Sequence, residues 1–225
     1  MSKTIVQYNK ELPYIEGREP WYPPVSYLVK SKTKVNEYEE KPGRRKSNMF
    51  LVNKIRTEID TWRRDGYPGA TEISQKLLSF WFDEFHAPVF GNEPFHFYFC
   101  QQEAIETLIY LYEVKKYKDI VPLVKYFHEV YTGSLLLPDI EFGEDADGNR
   151  TLRRFFPELD QEAVQKLPEK NLLRYAVKMA TGSGKTFIMA FIIVWSYFNN
   201  NRAKNKNYAN NFFIVAPISM LITPD

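Results

Sequence analysis

The chain has 225 residues, of which 44% are hydrophobic and 16% aromatic, and this apolar content excludes an intrinsically disordered chain. A formal net charge of +2 excludes a uniformly basic protein, so any surface that binds nucleic acid must be local. Cys100 is the single cysteine, which excludes an internal disulfide and favours the cytoplasm. The N-terminus lacks an apolar signal-peptide core, and the most apolar run, 187–198, is shorter than the roughly 20 residues of a membrane span, so we expect no membrane association.

Residues 1–46 are predicted to form an irregular segment in which prolines alternate with aromatic residues. Its second half is basic, with Lys30, Lys32, Lys34, Lys41, Arg44, Arg45 and Lys46. One interpretation is contact with a nucleic-acid backbone. The other is a solvated surface, which the interrupting Glu37, Glu39 and Glu40 favour.

Residues 47–94 are predicted to contain a helical hairpin, because apolar residues recur at helical spacing on both sides of a turn at 67–69. Ser47 and Thr71 are the predicted caps of its two helices. A third helix is expected over 101–116, and a fourth from Asp119. Residues 138–156 suggest a loop or hairpin with Asp147-Gly148 at its tip, and the charged residues 160–171 a connection.

Residues 172–217 have the order expected of a phosphate-binding loop. A strand-like run, 172–177, is followed by a glycine-rich loop, an apolar helix, a polar loop and a second strand-like run at 212–217. Gly182 and Gly184 permit a backbone that brings N–H groups toward phosphate oxygens. This order predicts an α/β fold with parallel strands joined by a right-handed crossover.

Three motifs in this order resemble those of superfamily-2 (DEAD/DEAH-like) helicases. The run from Met179 to Thr186 resembles the first nucleotide motif, with Met179 at a position where the full pattern has glycine. Gln101-x-Glu103-Ala104-Ile105 resembles the upstream glutamine motif. Residues 214–217, followed by Leu221, resemble the motif that contacts the nucleic-acid backbone. The combination is similar to the helicase (Res) subunit of type III restriction enzymes.

The resemblance implies an incomplete RecA-like P-loop NTPase domain at 95–225, with an inserted segment at about 117–170 and a largely helical region before it. It implies ATP and Mg²⁺ as cofactors, with the triphosphate on Thr181, Gly182, Ser183, Gly184, Lys185 and Thr186. Thr186 would hold Mg²⁺, and Lys185 would reach the β- and γ-phosphates. Gln101 would contact adenine, with Phe97 or Tyr98 stacking on the base; a cap at the start of a helix is the alternative for Gln101.

DNA, and a modification methyltransferase subunit, are the partners that the resemblance implies. The family's Asp-Glu-x-x box does not follow the second strand within these residues, so we assign no catalytic residue and expect ATP binding without turnover. A non-catalytic nucleotide-binding or interaction module is the alternative. A GTPase or small-molecule kinase is weaker, because no Asn-Lys-x-Asp motif is present.

Overall fold

The computed structural model describes most of the chain, and every structural statement below concerns the described residues. These are 4–6, 15–33, 37–47, 50–88, 94–117, 119–130, 139–156, 161–167, 169, 175–180 and 182–215. They form a mixed α/β structure of helices and two small antiparallel sheets.

The N-terminal region contains a three-stranded sheet that the sequence did not predict. Its strands are β1 (Thr4–Val6), β2 (Ser26–Lys30) and β3 (Glu37–Pro42), in the antiparallel order β1-β3-β2. We expected residues 1–46 to be irregular, and this prediction is wrong for residues 26–30 and 37–42, which form strands. The charged sequence of β3 is typical of a solvated surface, but its backbone pairs with β2, where Leu28 lies opposite Glu40. Backbone pairing, rather than apolar alternation, explains this strand.

The four helices predicted before the phosphate-binding loop are confirmed. They are α1 (Phe50–Arg64), α2 (Glu72–Phe82), α3 (Phe99–Ile109) and α4 (Ile120–Val130). The hydroxyl oxygen of Thr71 caps α2 by accepting the N–H of Ser74 at 3.1 Å, as predicted. A π-helical turn, Tyr110–Val114, prolongs α3. Helix α3 is the central element of the core, because it packs against α1, α2 and the last helix, α5 (Lys185–Asn201).

The core consists of aliphatic side chains of α1, α2 and α3 together with a cluster of aromatic rings. Ile59, Leu78, Ile105 and Ile109 are fully buried. Each such side chain contributes about 1.5–3 kcal/mol relative to exposure. The ring centroids of Trp81 and Phe191 lie 4.6 Å apart and join α2 to α5. The contacts of α5 with this core place the loop before it beside the first turn of α3.

A second antiparallel sheet lies within residues 139–166. Its strands are β4 (Asp139–Glu144), β5 (Arg150–Phe156) and β6 (Gln161–Lys166), in the order β4-β5-β6. The hairpin predicted at 138–156 is confirmed, and Gly148 lies in its turn with a φ of 78°. The predicted connection at 160–171 is wrong over β6, because that polar segment pairs with β5.

The predicted parallel strands on either side of α5 are not formed in the described residues. Residues 175–177 and 212–215 have no strand pairing, while 172–174 and 216–217 lie outside the described part. Phe213 is 92% exposed and Val215 78% exposed. A strand requires a partner backbone, and an apolar run predicts only that a segment suits burial in a sheet. The helix predicted at 187–198 is confirmed as α5. Within the described residues, no helix has the length and apolarity that a membrane crossing requires.

Candidate nucleotide-binding site

The glycine-rich loop has the backbone conformation that its two glycines were predicted to permit. Gly182 has a φ of 78° and Gly184 a φ of 71°, both in the left-handed region. Gly184 directly precedes α5, a helix of 17 residues, whose first N–H groups lack intrahelical partners. The hydroxyl of Ser183 donates to the carbonyl of Ala180 at 2.6 Å and closes the loop on itself. Such a loop at a helix N-terminus is suited to an anion.

Lys185 and Thr186 occupy the first turn of α5, and both are exposed. The Nζ atom of Lys185 donates to the carbonyl oxygen of Ala180 at 2.9 Å, so its ammonium group lies over its own loop. The hydroxyl of Thr186 is on the same exposed turn. Thr181, the remaining predicted contact in the loop, lies outside the described residues. The ammonium group of Lys185 and the hydroxyl of Thr186 are therefore accessible to a ligand at the start of α5.

Gln101 contacts the loop directly, although it is 82 residues away from Ser183. Its side chain is 3% exposed. Nε2 donates to the carbonyl of Ser183 at 3.0 Å and to that of Gly184 at 3.3 Å. Oε1 accepts the N–H of Tyr98 at 2.8 Å, at the start of α3. The helix-start cap is thus observed, while contact with adenine stays a prediction.

The two hydrogen bonds from Gln101 also determine where the next two N–H groups of the loop point, because peptide bonds are planar. In a trans peptide the C=O and the following N–H point in opposite directions. Because the carbonyls of Ser183 and Gly184 point toward Gln101, the N–H groups of Gly184 and Lys185 point away from it. Gln101 therefore fixes the orientation of these two N–H groups. No sequence pattern indicated this contact.

The two predicted stacking residues have different surroundings. Phe97 packs in the aromatic cluster, with ring centroids 4.8 Å from Phe95, 5.3 Å from Phe187 and 4.8 Å from Phe191. Tyr98 is 39% exposed. Tyr98 is therefore the more accessible of the two for contact with a base.

Met179 stands where the family pattern has glycine, and its side chain takes part in packing. It is partly buried and packs against the hydrophobic core. A glycine at this position would leave that contact unfilled.

Glu106 is a buried carboxylate on α3 that the sequence analysis missed. Its side chain is fully buried. It accepts hydrogen bonds from Arg63 Nε at 2.8 Å, Tyr67 Oη at 2.8 Å and Gln102 Nε2 at 2.9 Å. Burial raises the pKa of Glu106, against the opposing effect of the Arg63 guanidinium. Burial, followed by the charge of Glu106, raises the pKa of Tyr67, so the phenol remains a donor. These contacts hold α1 and the turn after it against α3.

Glu103 joins α3 to the segment that follows β3. It forms a bidentate ion pair with Arg44 and lies 3.4 Å from Nε of Arg56 on α1. Glu103 is two residues after Gln101 on the same helix. Arg44 also lies over the ring of Phe99, with Cζ 5.3 Å from the ring centroid. The N-terminal part of α3 therefore contacts both the glycine-rich loop and the basic N-terminal segment.

A family model described as "Type III restriction enzyme, res subunit" matches residues 95–223. The matched region contains Gln101, the loop and α5, and it defines a superfamily-2 helicase-like domain. Because the match covers more than half of the chain, the protein belongs to the family of type III restriction enzyme res subunits. Searches of curated proteins and of solved structures returned no match.

Substitution of Gly184 by alanine should destabilise the chain more than substitution of Gly182. Both positions have positive φ, where alanine costs about 1–2 kcal/mol. An added Cβ at Gly184 would clash with the Gln101 amide, whereas at Gly182 no atom lies within 4 Å. We therefore expect Gly184→Ala to lose about 1–2 kcal/mol more, since it also breaks the bonds from Gln101. Urea denaturation measures both losses. Equal losses of stability in the two variants would contradict this prediction. So would a larger loss in Gly184→Ala that persists when Gln101 is also replaced by alanine.

Proposed function

We propose that the chain binds ATP with Mg²⁺ at residues 182–186, as the nucleotide-binding part of a DNA-dependent ATPase or translocase of the type III restriction class. The left-handed Gly182 and Gly184, directly before α5, carry this proposal. The space beside Gly182 is open, because no atom beyond its chain neighbours lies within 4 Å of a Cβ built there. A phosphate needs such close access to backbone N–H groups.

Each side chain of the first turn has a proposed role. The N–H groups of Gly184 and Lys185, oriented by Gln101, would donate to phosphate oxygens. The ammonium of Lys185 would exchange the neutral carbonyl of Ala180 for a charged phosphate, which is the stronger acceptor. The Thr186 hydroxyl would contact the Mg²⁺ that bridges the phosphates. Tyr98 would stack on the base, because Phe97 is packed in the core.

The remaining assignments follow the family. Restriction enzyme res subunits act on DNA, and we propose DNA as the partner here. A modification methyltransferase subunit is a second proposed partner, and the cytoplasm the proposed location. Contact of Gln101 with adenine would require its Nε2 to leave the carbonyls of Ser183 and Gly184. We therefore propose loop positioning as its primary role.

The dependence of ATP binding on Mg²⁺ tests this proposal. In the wild-type chain, Mg²⁺ should tighten binding of a fluorescent ATP analogue. Thr186→Val removes the hydroxyl with little change in shape and should lose most of the effect of Mg²⁺, about tenfold in affinity for a bond worth about 1.5 kcal/mol. Thr57→Val, at an exposed position of α1, is the matched control. An unchanged response to Mg²⁺ in Thr186→Val would contradict the proposal.

A further inference from the structure

A strongly basic pocket lies beside the phosphate-binding loop but does not include its phosphate-facing residues. Its volume is about 720 Å³. The cationic side chains that line it are Arg18, Arg44, Arg45, Lys46, Arg56 and Lys178, and the rest of its lining contains no carboxylate. Residues 182–186 do not line it. The pocket is therefore a second anion-attracting feature, next to the proposed nucleotide site.

Four parts of the fold build this pocket. The loop before β2 supplies Arg18, and the segment after β3 supplies residues 44–46. Helix α1 supplies Arg56, and the residues leading into the phosphate-binding loop supply Lys178. Most of the lining thus lies outside residues 95–223, the region that matches the family. The positive charges therefore come from several separate segments of the chain.

Two of the cations are partly neutralised and four are available. Arg44 and Arg56 share Glu103, so they keep part of their charge in a fixed position. Arg18, Arg45, Lys46 and Lys178 form no ion pair with a described residue, and all four are exposed. Like charges gathered without a counter-ion raise the local potential and favour a polyanion.

We propose that this pocket binds the phosphodiester backbone of DNA. The proposed triphosphate contacts at 182–186 do not line this pocket, and its four unpaired cations come from three separate parts of the fold. A backbone presents a phosphate at short regular intervals and can meet several dispersed cations at once. The proposal resolves the basic segment into two parts: Arg44, Arg45 and Lys46 contact DNA, while Lys30 and Lys32 lie outside the pocket. The inference rests on the proposed action on DNA.

Two sets of contacts join the pocket to the proposed nucleotide site. Ala180 lines the pocket and accepts the hydrogen bond from Lys185. Glu103, which holds Arg44 and Arg56, is on the first turns of α3 with Gln101. DNA in the pocket would therefore lie beside the loop that is proposed to hold ATP.

Paired double variants test the assignment. Arg45→Gln with Lys46→Gln removes two charges from the pocket, while Lys30→Gln with Lys32→Gln removes two from the same segment outside it. Binding of the full chain to a fluorescein-labelled random-sequence duplex is measured by anisotropy over a range of salt concentrations. The pocket variant should bind about tenfold more weakly, and its slope of log affinity against log salt should fall by about two. The control variant should retain the wild-type slope.

The outcomes separate this inference from the proposed function. Equal weakening by both variants, or an unchanged slope in the pocket variant, overturns the pocket assignment and leaves ATP binding intact. Weaker binding of a fluorescent ATP analogue by the pocket variant, with DNA binding unchanged, would assign the pocket to the nucleotide and overturn the inference. A wild-type chain that binds ATP but no duplex overturns the DNA partner together with the pocket. Thermal unfolding of both variants confirms that each is folded.

Discussion

Replacement of Lys185 by alanine is expected to weaken ATP binding about a hundredfold. The ammonium group is exposed on the first turn of α5, and within the described residues it donates to the carbonyl of Ala180. Charge-assisted hydrogen bonds contribute about 1.5–3 kcal/mol, and about 3 kcal/mol corresponds to a hundredfold change in affinity. Titration with a fluorescent ATP analogue in the presence of Mg²⁺ measures the loss.

A matched variant shows whether the loss of ATP affinity comes from the position of Lys185 or from the change in net charge. Lys206→Ala removes the same charge from the exposed loop after α5 and should bind ATP like the wild type. Far-ultraviolet circular dichroism checks that both variants retain their helices. Binding of ATP by Lys185→Ala within threefold of the wild type would show that this loop does not hold the triphosphate.

Glu113→Ala is expected to destabilise the chain by about 4 kcal/mol. Glu113 is 6% exposed and lies on the π-helical turn after α3. Its carboxylate accepts hydrogen bonds from the N–H of Thr71 at 2.9 Å, Trp195 Nε1 at 2.8 Å and Tyr208 Oη at 2.8 Å, and also from the Ser74 hydroxyl. Loss of the acceptor leaves the Tyr208 hydroxyl and the Thr71 N–H without a partner among the described residues, at about 1–3 kcal/mol each, while Trp195 Nε1 keeps the Ser74 hydroxyl at 2.9 Å.

Such a loss is large against the usual stability of about 5–15 kcal/mol, so the variant should show a much lower urea midpoint. Burial, followed by the charge of Glu113, raises the pKa of Tyr208 and keeps its phenol a donor. Glu72→Ala is the control: within the described part of the chain this exposed carboxylate pairs with Lys76 on the surface of α2, and its loss should leave the urea midpoint nearly unchanged. If the two variants lose similar stability, Glu113 does not hold α2, α3 and α5 together.

Local sequence signals predicted the elements that depend on neighbouring residues. Apolar spacing located α1 to α4, and Thr71 was recognised as the cap of α2. The positive φ of Gly182 and Gly184 follows from the glycines themselves. The loop before α5 could therefore be located from a short stretch of residues.

Contacts between distant segments could not be predicted in this way. Gln101 and Ser183 are 82 residues apart, and only the packing of α3 against α5 brings them together. Glu113 joins segments at 71–74, 195 and 208, none of which has a motif. Strand β3 pairs despite its charged sequence, whereas the apolar residues 212–215 do not pair. Both strand errors have the same physical cause, because pairing depends on a partner backbone that local composition does not reveal.

Backbone amide chemical shifts give the most direct test of the central claim, that residues 182–186 hold ATP with Mg²⁺. Nitrogen-15 spectra of the full chain are recorded during titration with a non-hydrolysable ATP analogue and Mg²⁺. The largest shifts should occur at the N–H groups of Gly182, Ser183, Gly184 and Lys185, together with the side-chain amide of Gln101. Binding that leaves these signals unchanged, or that shifts residues 44–46 instead, would contradict the assignment of the nucleotide site.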